Sequence, residues 1–171
     1  TVEKIRNTDL TPKIIVTTAD KDKPNWTVPD DNFSIYIPKI VAKSVVVENV
    51  DPWDKSSYQE ALIKGVAAAK DLSAPGRVGP TLLFAHSVGS RVVFARYNAV
   101  FYLLHKLEAS DEIEVVYKGD LYKYKVWEKI IIDAKDLSYF APQDIEERLV
   151  LQTCYPPGTT WKRLIVVAKR V

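Results

Sequence analysis

The sequence predicts a mostly β fold, either a barrel or a sandwich of seven or eight short strands. Residues 33–37 alternate between apolar and polar side chains and end before Pro38, which is typical of a half-buried strand. Residues 112–117 and 121–127 alternate in the same way around a turn at residues 118–120, which predicts a β-hairpin. Further β-rich runs occupy residues 41–50, 81–85, 130–132, 149–154 and 162–167.

Two or more short helices are expected in the connections between these strands. Ser56 or Ser57 is predicted to cap a helix over residues 58–70, whose apolar side chains follow helical spacing. Residues 98–107 are strongly apolar and predict a second helix, and a short third helix is expected at residues 142–146.

The length of 171 residues fits one domain with a sizeable core. Residues 1–32 are polar and contain three prolines, which predicts an N-terminal arm or stalk that docks partly on the domain. The folded domain itself is predicted over residues 33–171.

Composition excludes several classes of protein. The net charge of +2 gives no case for a nucleic-acid partner. No run of about 20 apolar residues is present to span a membrane, and no signal peptide is visible. Because the chain contains no methionine, we expect it to be a soluble fragment or a processed form of a longer protein.

The single cysteine, Cys154, ends an apolar strand, and Arg163 lies early in the next one. Only two histidines are available as a base; His86 ends another predicted strand, whereas His105 is expected at a surface. Strand ends converge in a barrel, so Cys154, His86 and Arg163 are candidates for one site. A thiolate nucleophile, a proton-transferring imidazole and a permanently charged guanidinium are the groups that acyl transfer through a thioester needs.

The order and spacing of these segments resemble those of sortases across residues 33–171. The run LQTC at residues 151–154, followed by Arg163, is similar to the cysteine and arginine signature of that family, with Val150 at the position where threonine is usual. Residues 83–87 resemble the strand that carries the histidine. Other matching segments are residues 37–40, 60–66 and 107–113, the last with Ser110 where glycine is usual.

This resemblance implies a closed sortase-type β-barrel and a membrane-anchored cysteine transpeptidase on the outer face of a bacterial cell. Such enzymes cut a Leu-Pro-x-Thr-Gly-like sorting signal on surface proteins and pass the acyl group to an amine of a cell-wall precursor or a pilin lysine. Carried over by position, Cys154 is the nucleophile, His86 the general acid and base, and Arg163 the oxyanion anchor. No metal or organic cofactor is expected, and the N-terminal anchor is expected outside this chain.

The resemblance also suggests residues that contact the substrate. Thr153 occupies a position implicated in substrate and oxyanion contacts, Gln152 lies near the sorting-signal groove, and Trp161 precedes Arg163 in the loop beside the thiol. Residues 51–53, Asp-Pro-Trp, imitate the lid motif of pilus-building sortases, but they follow the second core strand, so we do not assign a lid. An added helix between residues 87 and 107 is expected to present side chains to the site, namely Phe94, Arg96 and Tyr97.

Two alternatives stay open at this stage. The first is a thiol peptidase that mainly hydrolyses the signal because no amine acceptor binds well. The second is a non-catalytic β-barrel binding module in which Cys154 is a small core residue, with Arg163 paired to a carboxylate such as Glu146 or Glu147.

Overall fold

Eight strands form the framework of the structure, a computed structural model that describes residues 23–87, 99–140 and 146–171. They are β1 (Phe33–Ile37), β2 (Ala42–Val50), β3 (Val66–Ala69), β4 (Gly79–Phe84), β5 (Glu112–Tyr117), β6 (Asp120–Asp133), β7 (Glu147–Tyr155) and β8 (Lys162–Arg170). They close into a barrel in the order β1-β2-β3-β4-β7-β8-β6-β5. The predicted mostly β, closed barrel is therefore confirmed.

Two parallel pairs, β2–β3 and β4–β7, interrupt an otherwise antiparallel ring. The β4–β7 ladder runs from the pair Gly79 and Glu147 to the pair Phe84 and Gln152. Because parallel strands end at the same edge of a sheet, the chain leaving β4 lies beside the last residues of β7. Strand β8 flanks β7 on its other side, so three strand ends meet at one rim of the barrel.

Alternating side chains fill the barrel as the sequence predicts. Phe33, Ile35 and Ile37 of β1 are all buried, with at most 2% of their surface exposed. The hairpin of β5 and β6 forms around Lys118 and Gly119, both of which have a positive φ. Each large apolar side chain that is buried completely contributes roughly 1.5–3 kcal/mol, so the barrel interior is the main source of stability.

The first predicted helix is shorter than expected. Helix α1 spans Lys55–Lys64, and Asp54 rather than a serine caps it by accepting a hydrogen bond from the Ser56 amide at 3.1 Å. Residues 66–69 instead form β3, because pairing with both β2 and β4 outweighs the helical preference of three alanines. A Cβ at Gly65 would lie 2.5 Å from Ser44 Oγ, so glycine permits the close turn from helix to strand.

The prediction of a second α-helix is wrong for residues 99–107, which form turns and a 3₁₀ helix at Leu104–Lys106. Phe101, Leu104 and Leu107 are fully buried. Their spacing of three residues places them on one face of a 3₁₀ turn, which explains why the apolar run suggested a helix. In the described ranges α1 is the only α-helix, and it is joined by 3₁₀ turns at Pro38–Ile40, Leu104–Lys106 and Ser138–Phe140.

Several predictions concern residues that the structure does not describe. The added helix with Phe94, Arg96 and Tyr97 lies outside the described residues, as does the third helix apart from Glu146. Residues 1–22 of the predicted arm also lie outside them, so the division at residue 32 stays a prediction.

Residues 23–32 of the predicted arm are described by the structure, and they contact the barrel through Trp26. Its indole N–H donates to the Glu114 carboxylate at 2.6 Å, and its ring centroid lies 5.2 Å from that of Tyr36. Residues 23–32 are thereby attached to strands β1 and β5. None of the helices in the described ranges has the length and apolar composition needed to cross a bilayer.

Candidate active site

A cleft of about 310 Å³ opens at the rim where β4 and β7 end and β8 begins. The cleft has three sides: helix α1 with the loop before it, the connection from β6 to β7, and the three strand ends. Its walls consist of Pro52, Trp53, Tyr58, Leu62, Phe84, Ala85, His86, Ala134, Asp136, Leu137, Gln152, Thr153, Cys154, Thr160 and Arg163. All three predicted catalytic residues therefore line one cavity.

Cys154 and Arg163 face each other directly across the β7–β8 ladder. Paired residues in an antiparallel ladder have Cα atoms about 4.5–5.5 Å apart and project their side chains to the same face. The thiol is partly exposed. The Arg163 guanidinium donates to the backbone carbonyls of Thr160 and Lys162, each at 3.1 Å, which holds the cation at this end of the strand.

The carboxylates considered as partners of Arg163 bind other cations. Glu146 pairs with Arg148 at 2.8 Å and with Lys169 at 3.2 Å, and Glu147 pairs with Arg170 at 3.3 Å. Arg163 is thus oriented by backbone carbonyls and lines the cleft beside the thiol.

His86 follows β4 and is half-buried on the cleft wall. Burial lowers the pKa of His86 below its ordinary value of 6.5, because removal of water penalises the charged imidazolium. The neutral imidazole therefore predominates at pH 7, and it is able to accept a proton from a nearby thiol or amine.

Thr153 has its side chain on the opposite face of β7 from Cys154. It is 4% exposed, and its hydroxyl donates to the Ala85 carbonyl at 2.8 Å. This bond joins the residue before Cys154 to the residue before His86. The structure thus gives the Thr153 side chain a part in holding two strand ends together.

A charged side chain of opposite sign to Arg163 reaches the cleft from the β6–β7 connection. The Ser138 backbone amide donates to Asp136 at 3.0 Å, and this bond, with a further one from the Ser138 hydroxyl, holds the pKa of the Asp136 carboxyl below its ordinary value. The carboxylate is therefore ionised at neutral pH. The cleft presents an anionic wall at Asp136 and a cationic one at Arg163.

The sequence pattern of the Sortase domain matches residues 35–171. The chain belongs to the sortase family. It is 32% identical over 138 residues to sortase D of Bacillus subtilis, covering 79% of this chain and 61% of that protein. Sortases are cysteine transpeptidases that are associated with the cell surface.

Solved sortase structures share the fold. Sortase A from Corynebacterium diphtheriae is 24% identical with a TM-score of 0.68, and the match covers 82% of this chain and 60% of that one. A Clostridium perfringens sortase D5 transpeptidase is 22% identical with a TM-score of 0.65, covering 85% and 81% of the two chains. This sortase thus spans about three-fifths of the length of the first two relatives.

Ser110, where the resemblance led us to expect glycine, adopts a positive φ of 73°. This left-handed conformation costs a serine more than a glycine. The Ser110 amide donates to the Val126 carbonyl at 2.8 Å, a contact that helps to hold the turn.

The two remaining substrate candidates are placed differently. Gln152 lies two residues before Cys154 on β7, so both side chains project to the same face, and Gln152 lines the cleft. Trp161 is 73% exposed in the loop between β7 and β8, and it is not among the described residues that line the cleft.

The sequence interpretation missed the wall formed by residues 51–62. Asp51 forms an ion pair with Lys70 at 2.8 Å and is not among the described residues that line the cleft. Pro52 and Trp53 nevertheless line the cleft, and Trp53 is 62% exposed. The Asp-Pro-Trp tripeptide was the only sequence signal, and its position after β2 places it in a wall of the site.

The described residues also bear on metal binding. In the three described ranges, no group of three or more His, Cys, Asp or Glu side chains lies close enough together to bind a metal ion. Cys154 and His86 are accompanied in the cleft by one carboxylate, Asp136.

Proposed function

We propose that this sortase cleaves a Leu-Pro-x-Thr-Gly-like sorting signal through a thioester on Cys154 and transfers the acyl group to an amine. One observation carries the proposal: Cys154 and Arg163 form a cross-strand pair in a cleft that His86 also lines. A nucleophile, a neutral base and a fixed cation thereby share one cavity. The family supplies the class of substrate, a surface protein that bears a sorting signal.

Acylation follows from the placement of these three groups. The Cys154 sulfur attacks the threonine carbonyl while neutral His86 accepts the thiol proton. Arg163 donates hydrogen bonds to the oxyanion that forms. The bond between threonine and glycine then breaks, and the His86 imidazolium gives its proton to the departing amine, leaving a thioester on the enzyme.

Transfer reverses the same proton movements. An incoming primary amine attacks the thioester carbon, and neutral His86 accepts a proton from that amine. The carbon–sulfur bond breaks, the imidazolium returns its proton to the Cys154 sulfur, and the new amide leaves. We place this reaction at the outer face of a bacterial membrane, with a cell-wall precursor or a pilin lysine as the amine.

The test is a peptide-library reaction with and without a primary amine, with the products identified by mass spectrometry. We expect cleavage after threonine in Leu-Pro-x-Thr-Gly-like peptides and an amide product when an amine such as triglycine is present. A free threonine carboxylate as the main product, even in excess amine, would identify a hydrolytic thiol peptidase instead. Absence of any thioester or cleavage product across the library would contradict the proposal.

Trp53 supplies a second prediction on the same site. Its exposed ring on the cleft wall offers an apolar contact to a bound peptide, so Trp53→Ala is expected to raise KM about tenfold, the effect of roughly 1.4 kcal/mol of lost binding. The matched control is Trp127→Ala, since Trp127 is 64% exposed on β6 and contacts Lys169 outside the cleft. Equal KM values for the two variants would show that Trp53 does not contribute to peptide binding.

A further inference from the structure

The backbone ladder between β4 and β7 stops before it reaches the catalytic groups. Its last paired residues are Phe84 and Gln152, and one further backbone bond joins the Ala85 amide to the Gln152 carbonyl at 3.2 Å. His86 and Cys154 each lie two residues beyond the last pair of this ladder.

Beyond the end of the ladder, two side-chain hydroxyl groups donate hydrogen bonds between the two segments. Thr153 donates to the Ala85 carbonyl at 2.8 Å, and Ser87 donates to the Cys154 carbonyl at 2.6 Å. These bonds attach the residue on each side of His86 to the strand that carries the nucleophile. Because both flanking residues are fixed, the backbone of His86 has little freedom to move away from Cys154.

Ser87 is also bonded to the turn that leads toward Arg163. Its carbonyl accepts a hydrogen bond from the Gly158 amide at 3.0 Å. The same turn is closed by the Thr159 amide and hydroxyl, which donate to the Pro156 carbonyl at 3.0 and 2.8 Å. Ser87 thus joins the segment of His86, the strand end of Cys154 and the loop that precedes Arg163.

Loss of the Ser87 hydroxyl would disturb the site because Ser87 is buried. Ser87 is only 3% exposed, so water does not readily replace a lost bond to the Cys154 carbonyl. The carbonyl would then either remain without a partner or shift to find one. In either case the strand end that carries the nucleophile moves relative to the base.

We propose that Ser87 is a positioning residue that sets the distance and orientation between His86 and Cys154. This inference rests on the proposed thioester chemistry. Ser87 does not touch the reacting atoms; it acts by holding the strand ends that carry them. Its hydroxyl contributes to the rate of acylation and not to the binding of peptide.

The test compares Ser87→Ala, Ser87→Thr and the control Ser44→Ala. Ser44 is 4% exposed and donates to the Val45 carbonyl at 2.8 Å on β2, so its removal deletes a similarly buried hydroxyl outside the cleft. The substrate is a peptide that the wild-type protein cleaves. In single-turnover experiments we expect Ser87→Ala to slow thioester formation by about ten- to a hundredfold, because small displacements of reacting groups lower the rate by this much. KM should stay within about twofold, and Ser87→Thr should recover most of the rate.

Thermal denaturation separates this positioning effect from a loss of fold. Similar melting temperatures for Ser87→Ala and Ser44→Ala, with slow acylation only in the former, support the proposal. The proposal would be overturned if Ser87→Ala formed the thioester at the wild-type rate, or if Ser87→Ala and Ser44→Ala lost the same fraction of that rate. It would also be overturned if Ser87→Thr were as slow as Ser87→Ala.

Alkylation of Cys154 by iodoacetamide needs no peptide and distinguishes failure of this inference from failure of the proposed function. If no peptide forms a thioester, slower alkylation in both Ser87→Ala and His86→Ala than in the wild type still supports the positioning role. Equal alkylation rates in all three proteins overturn it.

Discussion

Cys154→Ala is expected to abolish both thioester formation and peptide cleavage. Cys154 is the only cysteine, and the chain contains no methionine, so its sulfur is the only one in the protein. Any thioester adduct must therefore be on this residue. The measurement is intact mass of the protein after mixing with a sorting peptide, with the wild type showing an increment equal to the acyl fragment.

The matched control is Cys154→Ser, which keeps a nucleophilic atom at the same position. A hydroxyl is far less acidic than a thiol, so this variant is expected to retain the fold and lose nearly all of the rate. Cleavage by Cys154→Ala at the wild-type rate would show that the thiol is not the nucleophile, whatever the geometry of the cleft.

Arg163→Ala is expected to lower kcat/KM by about a hundredfold or more, the usual cost of removing one oxyanion donor. The fold should persist, because the guanidinium bonds recorded in the described residues go to the Thr160 and Lys162 carbonyls at an exposed strand end. Arg163→Lys keeps the charge and loses the planar fork, so we expect partial activity. Steady-state kinetics and thermal denaturation check both statements.

Arg170→Ala is the matched control for this result. Arg170 lies at the other end of β8, where it pairs with Glu147 and contacts the Tyr122 ring. Its removal should affect stability more than activity. Wild-type kcat/KM in Arg163→Ala, or equal kinetic losses in the two variants, would exclude Arg163 from transition-state stabilisation.

Strands with one buried face were predictable because every second residue in them is apolar, as Phe33, Ile35 and Ile37 are in β1. The hairpin at residues 118–119 was predictable because its turn is local. Residues 66–69 were assigned to a helix since alanine favours helices in isolation. Only long-range pairing with β2 and β4 makes them a strand, and a single sequence does not reveal that pairing.

The residues of the site were also predictable only in part. The types of residue at positions 86, 154 and 163 and their strand-end locations indicated the chemistry, and the structure places all three in one cleft. Trp53 and Ser87 were not identified as parts of the site. Their roles depend on the Asp51–Lys70 ion pair and on the β4–β7 register, both of which join residues distant in sequence.

The parallel pairing of β4 and β7 has a consequence for how this sortase folds. Ser87 and Cys154 are 67 residues apart, and parallel neighbours form only after a long intervening segment has been closed. The β5–β6 hairpin, by contrast, needs contacts between nearby residues only. A chain that has formed this hairpin still carries its thiol without a base beside it. We therefore expect the thiol and the base to come together late in folding, when the ring of strands closes.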